Sequence, residues 1–195
     1  MDLSNCIAEQ WSPGIGDPGL WGWIVVAAYA TAAFCALGAA FKPGVDARER
    51  WFWGLAALAL AMLGVNKQLD LQSALTAAGR CLAHAQGWYE VRGRVQVAFI
   101  GTIAVTAIVL CGGTLILMRR HVRRLWPAIL GLALVIAYVA IRAAGFHHVD
   151  RLISVPVVAG IRANPLLEMT GIALIVINGV IRCYTAPSAA PSYAR

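Results

Sequence analysis

Two short segments of this 195-residue chain bring together residue types that can do chemistry. The first, Asn66-Lys67-Gln68-Leu69-Asp70-Leu71-Gln72, follows the apolar run Leu55 to Val65 with neither glycine nor proline to stop a helix. On a continuing helix, Asn66 and Asp70 share a face with Lys67, because side chains three and four positions apart are neighbours. One expectation is structural: Lys67 snorkels outward and closes an ion pair with Asp70 that fixes helix packing. The other is chemical, with Asp70 as a ligand or a general base.

The second segment is Arg142-Ala143-Ala144-Gly145-Phe146-His147-His148-Val149-Asp150. His147, His148 and Asp150 are metal-ligand types. Adjacent histidines on a regular helix point roughly 100° apart, so both reach one ion only if the helix has ended near Gly145. Strong zinc signatures place two histidines four apart on one helix face, and this pattern does not. A hydrogen-bonded or headgroup-facing pair is the competing reading. Haem is disfavoured, because no two histidines are placed to ligate one iron from facing helices. Arg142 lies about a turn inside an apolar run, where an unpaired guanidinium is costly, so Asp70 or Glu168 is its expected partner. Glu168 follows Asn164-Pro165, a cap and a first-turn proline, and is expected in the first helical turn, where the dipole favours an anion.

The elements that must position these groups are five apolar runs: Leu20 to Phe41, Trp51 to about Asp70, Val95 to Met118, Leu125 to about Gly145, and Leu166 to Ile181. Each is near the roughly 20 residues that span a bilayer. Composition agrees, with 60% hydrophobic residues, 13% charged residues and a mean hydropathy of +0.71. These values lie far from those of a soluble domain. The expected fold class is therefore an all-α integral membrane bundle of about five helices, one domain over residues 1–185, with a disordered tail at 186–195. Alanine and glycine in the first span, including Ala32, Ala36, Gly38 and Ala40, allow helices to approach closely, which is ordinary packing chemistry.

Charge sets the expected orientation. The connections Lys42 to Arg50 and Arg119 to Arg124 are basic and read as cytoplasmic. The N-terminus, the 66–94 segment and the 142–164 segment then lie outside, and the tail after Arg182 lies inside. The first apolar run has no basic residue before it and reads as a retained span. The net charge of +7 does not signal nucleic acid, because the basic residues form no stripe interleaved with aromatic platforms.

Between the second and third runs, Leu75, Ala78 and Leu82 are spaced for an amphipathic helix lying on the outer surface, before the interfacial aromatics Trp88 and Tyr89. Arg92, Arg94 and Gln96 lead into the third run, where lipid phosphates or nearby acids would meet them. Cys6 and Cys81 fall on the same, outer side, and a disulfide between them is one open alternative there. No cysteine spacing matches a zinc ribbon or a redox pair, and no phosphate loop, nucleophile elbow or inverted repeat is present.

The segments Trp11 to Pro18, Asn66 to Gln72, Gly87 to Gln96 and Arg142 to Asp150 together resemble a group of small bacterial inner-membrane proteins with no assigned activity. That resemblance implies a bacterial plasma-membrane location and carries no functional residue with it. The residues themselves suggest an outward-facing polar pocket built from Lys67, Asp70, Arg142, His147, His148, Asp150 and Glu168. If the pocket is catalytic, its expected chemistry is metal-assisted hydrolysis or transfer on a lipid or lipid-linked substrate. His147, His148 and Asp150 would then hold a divalent metal such as zinc, and Asp70 or Glu168 would act as base. The alternative is a non-enzymatic membrane subunit or assembly factor, whose partners would be membrane lipids and other membrane subunits.

Overall fold

The computed structural model describes residues 3–12, 14–16, 18–143, 156–158 and 161–185. In chain order these form α1 (Leu3–Gln10), α2 (Leu20–Phe41), α3 (Ala47–Leu69), α4 (Leu71–Ala85), a 3₁₀ turn (Tyr89–Val91), α5 (Arg92–Leu117), α6 (Val122–Ala143), short strands β1 (Pro156–Val158) and β2 (Ile161–Arg162), and α7 (Ala163–Tyr184). The strands pair antiparallel and lead directly into α7. Among the described residues, four helical segments are long and apolar enough to cross a membrane: Leu20–Phe41, Ala47–Leu69, Tyr89–Leu117 and Val122–Val139.

The core lies along α2, which packs between α3 and α7. Its buried face is Val25, Tyr29, Ala32, Ala33, Ala36, Ala39 and Ala40, nearly all small. That narrow face lets both neighbours approach closely. A Cβ on Gly179 would stand 3.2 Å from the Cβ of Cys35, which shows how near α7 lies to α2. The α3 face contributes Phe52, Trp53, Ala56, Ala57 and Leu60. The α6–α7 contact is closer still: a Cβ on Gly131 would meet the Gly171 carbonyl oxygen at 2.5 Å, and one on Gly171 would meet the Gly131 oxygen at 2.9 Å. Only glycine at both positions permits this backbone approach. α5 packs along α6 and leaves its described side chains exposed or half-buried.

Local sequence explains the boundaries. Gly44, at φ 80°, reverses the chain after α2, and Asp46 caps α3 by accepting the Glu49 backbone N–H at 2.8 Å. α3 does not continue through residue 72 as the sequence suggests. It ends at Leu69, and Asp70 takes the left-handed conformation at φ 47° before α4 begins. Aspartate is among the few non-glycine residues tolerated in this region when surrounding contacts offset the cost, so no glycine was needed to break the helix. α7 starts at Ala163 rather than at the Asn164-Pro165 cap, which moves Glu168 into the second turn. The fourth apolar run likewise begins early, at Val122, with Pro127 inside the helix.

Candidate functional site

Glu168 is the centre of the polar cluster. Its side chain is 2% exposed, and each carboxylate oxygen has a partner. The Tyr29 hydroxyl donates to Oε1 at 2.9 Å, and the Lys67 ammonium lies 3.3 Å from Oε2. A buried carboxylate is expensive unless paired and hydrogen-bonded, and here both oxygens meet that requirement. Three helices supply the groups: Tyr29 from the small-residue face of α2, Lys67 from the last turn of α3, and Glu168 from α7. Gly64 makes room for the tyrosine, since a Cβ there would stand 3.2 Å from the Tyr29 Cβ.

Beside this cluster is a cavity of about 30 Å³ lined by Tyr29, Leu63, Asn66, Lys67, Asp70, Tyr138, Val139 and Glu168. A water needs roughly 10–15 Å³ of such space, so the cavity takes about two. Lys67 keeps 17% of its side chain exposed and Asp70 is half-buried, so both remain reachable from the cavity. The Gln68 side-chain amide is buried, with no hydrogen-bond partner among the described residues. Chemically, the arrangement offers one cation fixed by a buried carboxylate, a second carboxylate beside it, and phenol and amide groups to hydrogen-bond a small polar group.

The structure thus brings together Lys67, Asp70 and Glu168 of the residues singled out from sequence. It corrects the expected pairing, because Lys67 bonds Glu168 rather than Asp70. The packing of α7 explains the change, because it brings the buried Glu168 carboxylate against Lys67 at the end of α3. Arg142 stands in the last turn of α6, and its side chain lies outside the described part of the structure. His147, His148 and Asp150 also lie outside the described residues. Among the described residues no group of three histidine, cysteine, aspartate or glutamate side chains could hold a metal ion.

Tyr29 escaped the sequence reading. Its signal was available: it is the one hydroxyl-bearing member of the otherwise apolar buried face of α2. A second ion pair was also missed, at the opposite end of the same helices. Arg182 reaches Glu49 Oε1 at 2.7 Å, the Trp53 indole donates to that oxygen at 3.4 Å, and Lys42 donates to the Arg182 and Thr185 carbonyls. α3 and α7 are therefore joined across α2 at both ends, with the sense of the charges reversed.

The N-terminal arm meets the site from outside the bundle. Cys6 of α1 and Cys81 of α4 form a disulfide with a Cα–Cα distance of 6.0 Å. The Gln10 amide contacts both sulfurs, at 3.6 and 3.5 Å. Further along the arm, the Gly16 N–H donates to the Gln68 carbonyl at 2.8 Å. Comparison of the chain with family models, with curated proteins and with solved structures gives no match.

Proposed function

We propose that this chain is a five-span protein of the bacterial inner membrane, with its N-terminus outside, whose Lys67–Glu168 pocket acts on a lipid or lipid-linked substrate at the extracytoplasmic face. The observation that carries this reading is the buried Glu168 carboxylate, bonded through both oxygens and lining a cavity shared with the accessible Asp70 and Lys67. In its favour, α7 is 22 residues long, a length sufficient for a fifth span. The orientation is supported from two sides. The disulfide end of the molecule is the pocket end, and disulfides persist in oxidising compartments. The basic residues Lys42, Arg119, Arg120, Arg123, Arg124 and Arg182 belong to the other end.

In this reading Lys67, held by Glu168, receives an anionic headgroup, and Asp70 takes a proton from the attacking water or hydroxyl. Arg142 adds a second cation. His147, His148 and Asp150 would hold a divalent metal such as zinc, whose contribution is to make bound water acidic.

The competing reading, a non-enzymatic membrane subunit, is favoured by the size of the cavity and by the engagement of both Lys67 and Glu168 in a direct pair. Turnover separates the two. The purified protein is placed in phosphatidylethanolamine and phosphatidylglycerol vesicles doped with a polyprenyl diphosphate, with zinc supplied, and lipids are followed by mass spectrometry. The enzyme reading predicts consumption of one of these lipids, reduced on the order of 10²-fold or more in Asp70→Asn at unchanged thermal stability. Lipid loss no greater than in protein-free vesicles would leave the subunit reading in its place.

A further inference from the structure

We propose that the N-terminal arm, clasped to α4 by the Cys6–Cys81 disulfide, is the positioning element that holds Asp70 in its left-handed conformation at the mouth of the pocket; this deepens the proposed function and rests on Asp70 belonging to the site. Asp70 is the only non-glycine residue with positive φ among the described residues. Such conformations persist where surrounding structure over-determines them, and they collect at functional sites. Two contacts over-determine this one. The Gly16 N–H bonds the Gln68 carbonyl at 2.8 Å, which ties the arm to the last turn of α3. Gly16 also packs against Asp70 so closely that a Cβ at residue 16 would stand 2.7 Å from the Asp70 Cβ.

The arm needs an anchor of its own to stay there. α1 has eight residues, too few to be stable alone, and it packs on α4. The disulfide joins it to Cys81, which is buried on α4 together with Ala77 and Ala83. The chain is thus closed into a loop that starts at Cys6, passes Gly16 over the α3–α4 junction, and returns through α4 to Cys81. Asp70 sits at the hinge of that loop. A break at the disulfide frees the arm and lets residues 66–72 exchange between the left-handed break and other backbone conformations.

Hydrogen–deuterium exchange of the full-length protein in lipid nanodiscs tests this without any substrate, so its outcome is independent of whether the pocket is catalytic. Cys6→Ala/Cys81→Ala is expected to speed exchange in peptides covering 66–72 by about tenfold, with α2 and α7 peptides unchanged. Gly16→Ala, which keeps the disulfide, is expected to do the same. Because the obstructing atom is the Asp70 Cβ, Gly16→Ala/Asp70→Gly should restore wild-type exchange, a rescue that general loosening of the arm would not produce. Wild-type exchange at 66–72 in the cysteine variant, or failure of Asp70→Gly to rescue Gly16→Ala, would overturn the proposal.

Discussion

At the residue scale, Glu168 is the group whose environment is most demanding. Its two partners occupy different oxygens of one buried carboxylate. Removing one partner of a buried pair leaves the other charge uncompensated, which typically costs about 3–5 kcal/mol, whereas replacing both with apolar groups of similar size is often close to neutral. Lys67→Met, which leaves the buried Glu168 carboxylate without its cation, is therefore expected to lower thermal stability far more than Lys67→Met/Glu168→Met does. Unfolding followed by circular dichroism in detergent is the check. A double variant as unstable as the single one would mean that the pair is not acting as a unit.

At the scale of elements, the closest helix contact is between α6 and α7, where Gly131 and Gly171 each face the other's carbonyl. Within a membrane, association of helices rests on such close packing rather than on a hydrophobic driving force. Gly171→Val is expected to separate α6 from α7, because its side chain would fall on the Gly131 oxygen and Val135, and overpacking of this kind costs about 1–3 kcal/mol. Gly101→Val in α5, where nothing lies within 4 Å of the added Cβ, serves as the neutral control in the same thermal assay.

The elements also show what the sequence made legible. The approximate positions of the long apolar helices follow from hydropathy, and α2 begins and ends at the expected residues, because a run of apolar residues bounded by Lys42-Pro43-Gly44 leaves little choice. That residues 71–85 form a helix was readable from the spacing of Leu75, Ala78 and Leu82. The helix break at Asp70 was not readable, since an aspartate adopts positive φ only when other contacts hold it there. For the same reason the Lys67–Asp70 pairing inferred from spacing gave way to Lys67–Glu168. That contact spans α3 and α7, and helix spacing within one segment cannot reveal it. Tyr29 and the Glu49–Arg182 pair were missed because each depends on which neighbour faces α2.

At the scale of the whole molecule, the charges divide between two ends. One end holds Lys67, Asp70, Glu168 and the disulfide, and the other holds Glu49, Arg182, Lys42 and the Asp46–His121 contact at 2.9 Å. The small-residue face of α2 keeps the two ends in register, because α3 and α7 both pack on it and are tied across it at each end. An account in which the pocket meets a lipid-linked substrate outside the cell membrane requires that the first end face outward. The most direct test is labelling of intact bacterial cells with a membrane-impermeant maleimide, using Asp70→Cys and Arg124→Cys in a background where Cys35, Cys111 and Cys183 are replaced by alanine. The account predicts that Asp70→Cys is labelled in intact cells while Arg124→Cys is labelled only after permeabilisation. The reverse pattern would place the pocket on the cytoplasmic side and contradict it.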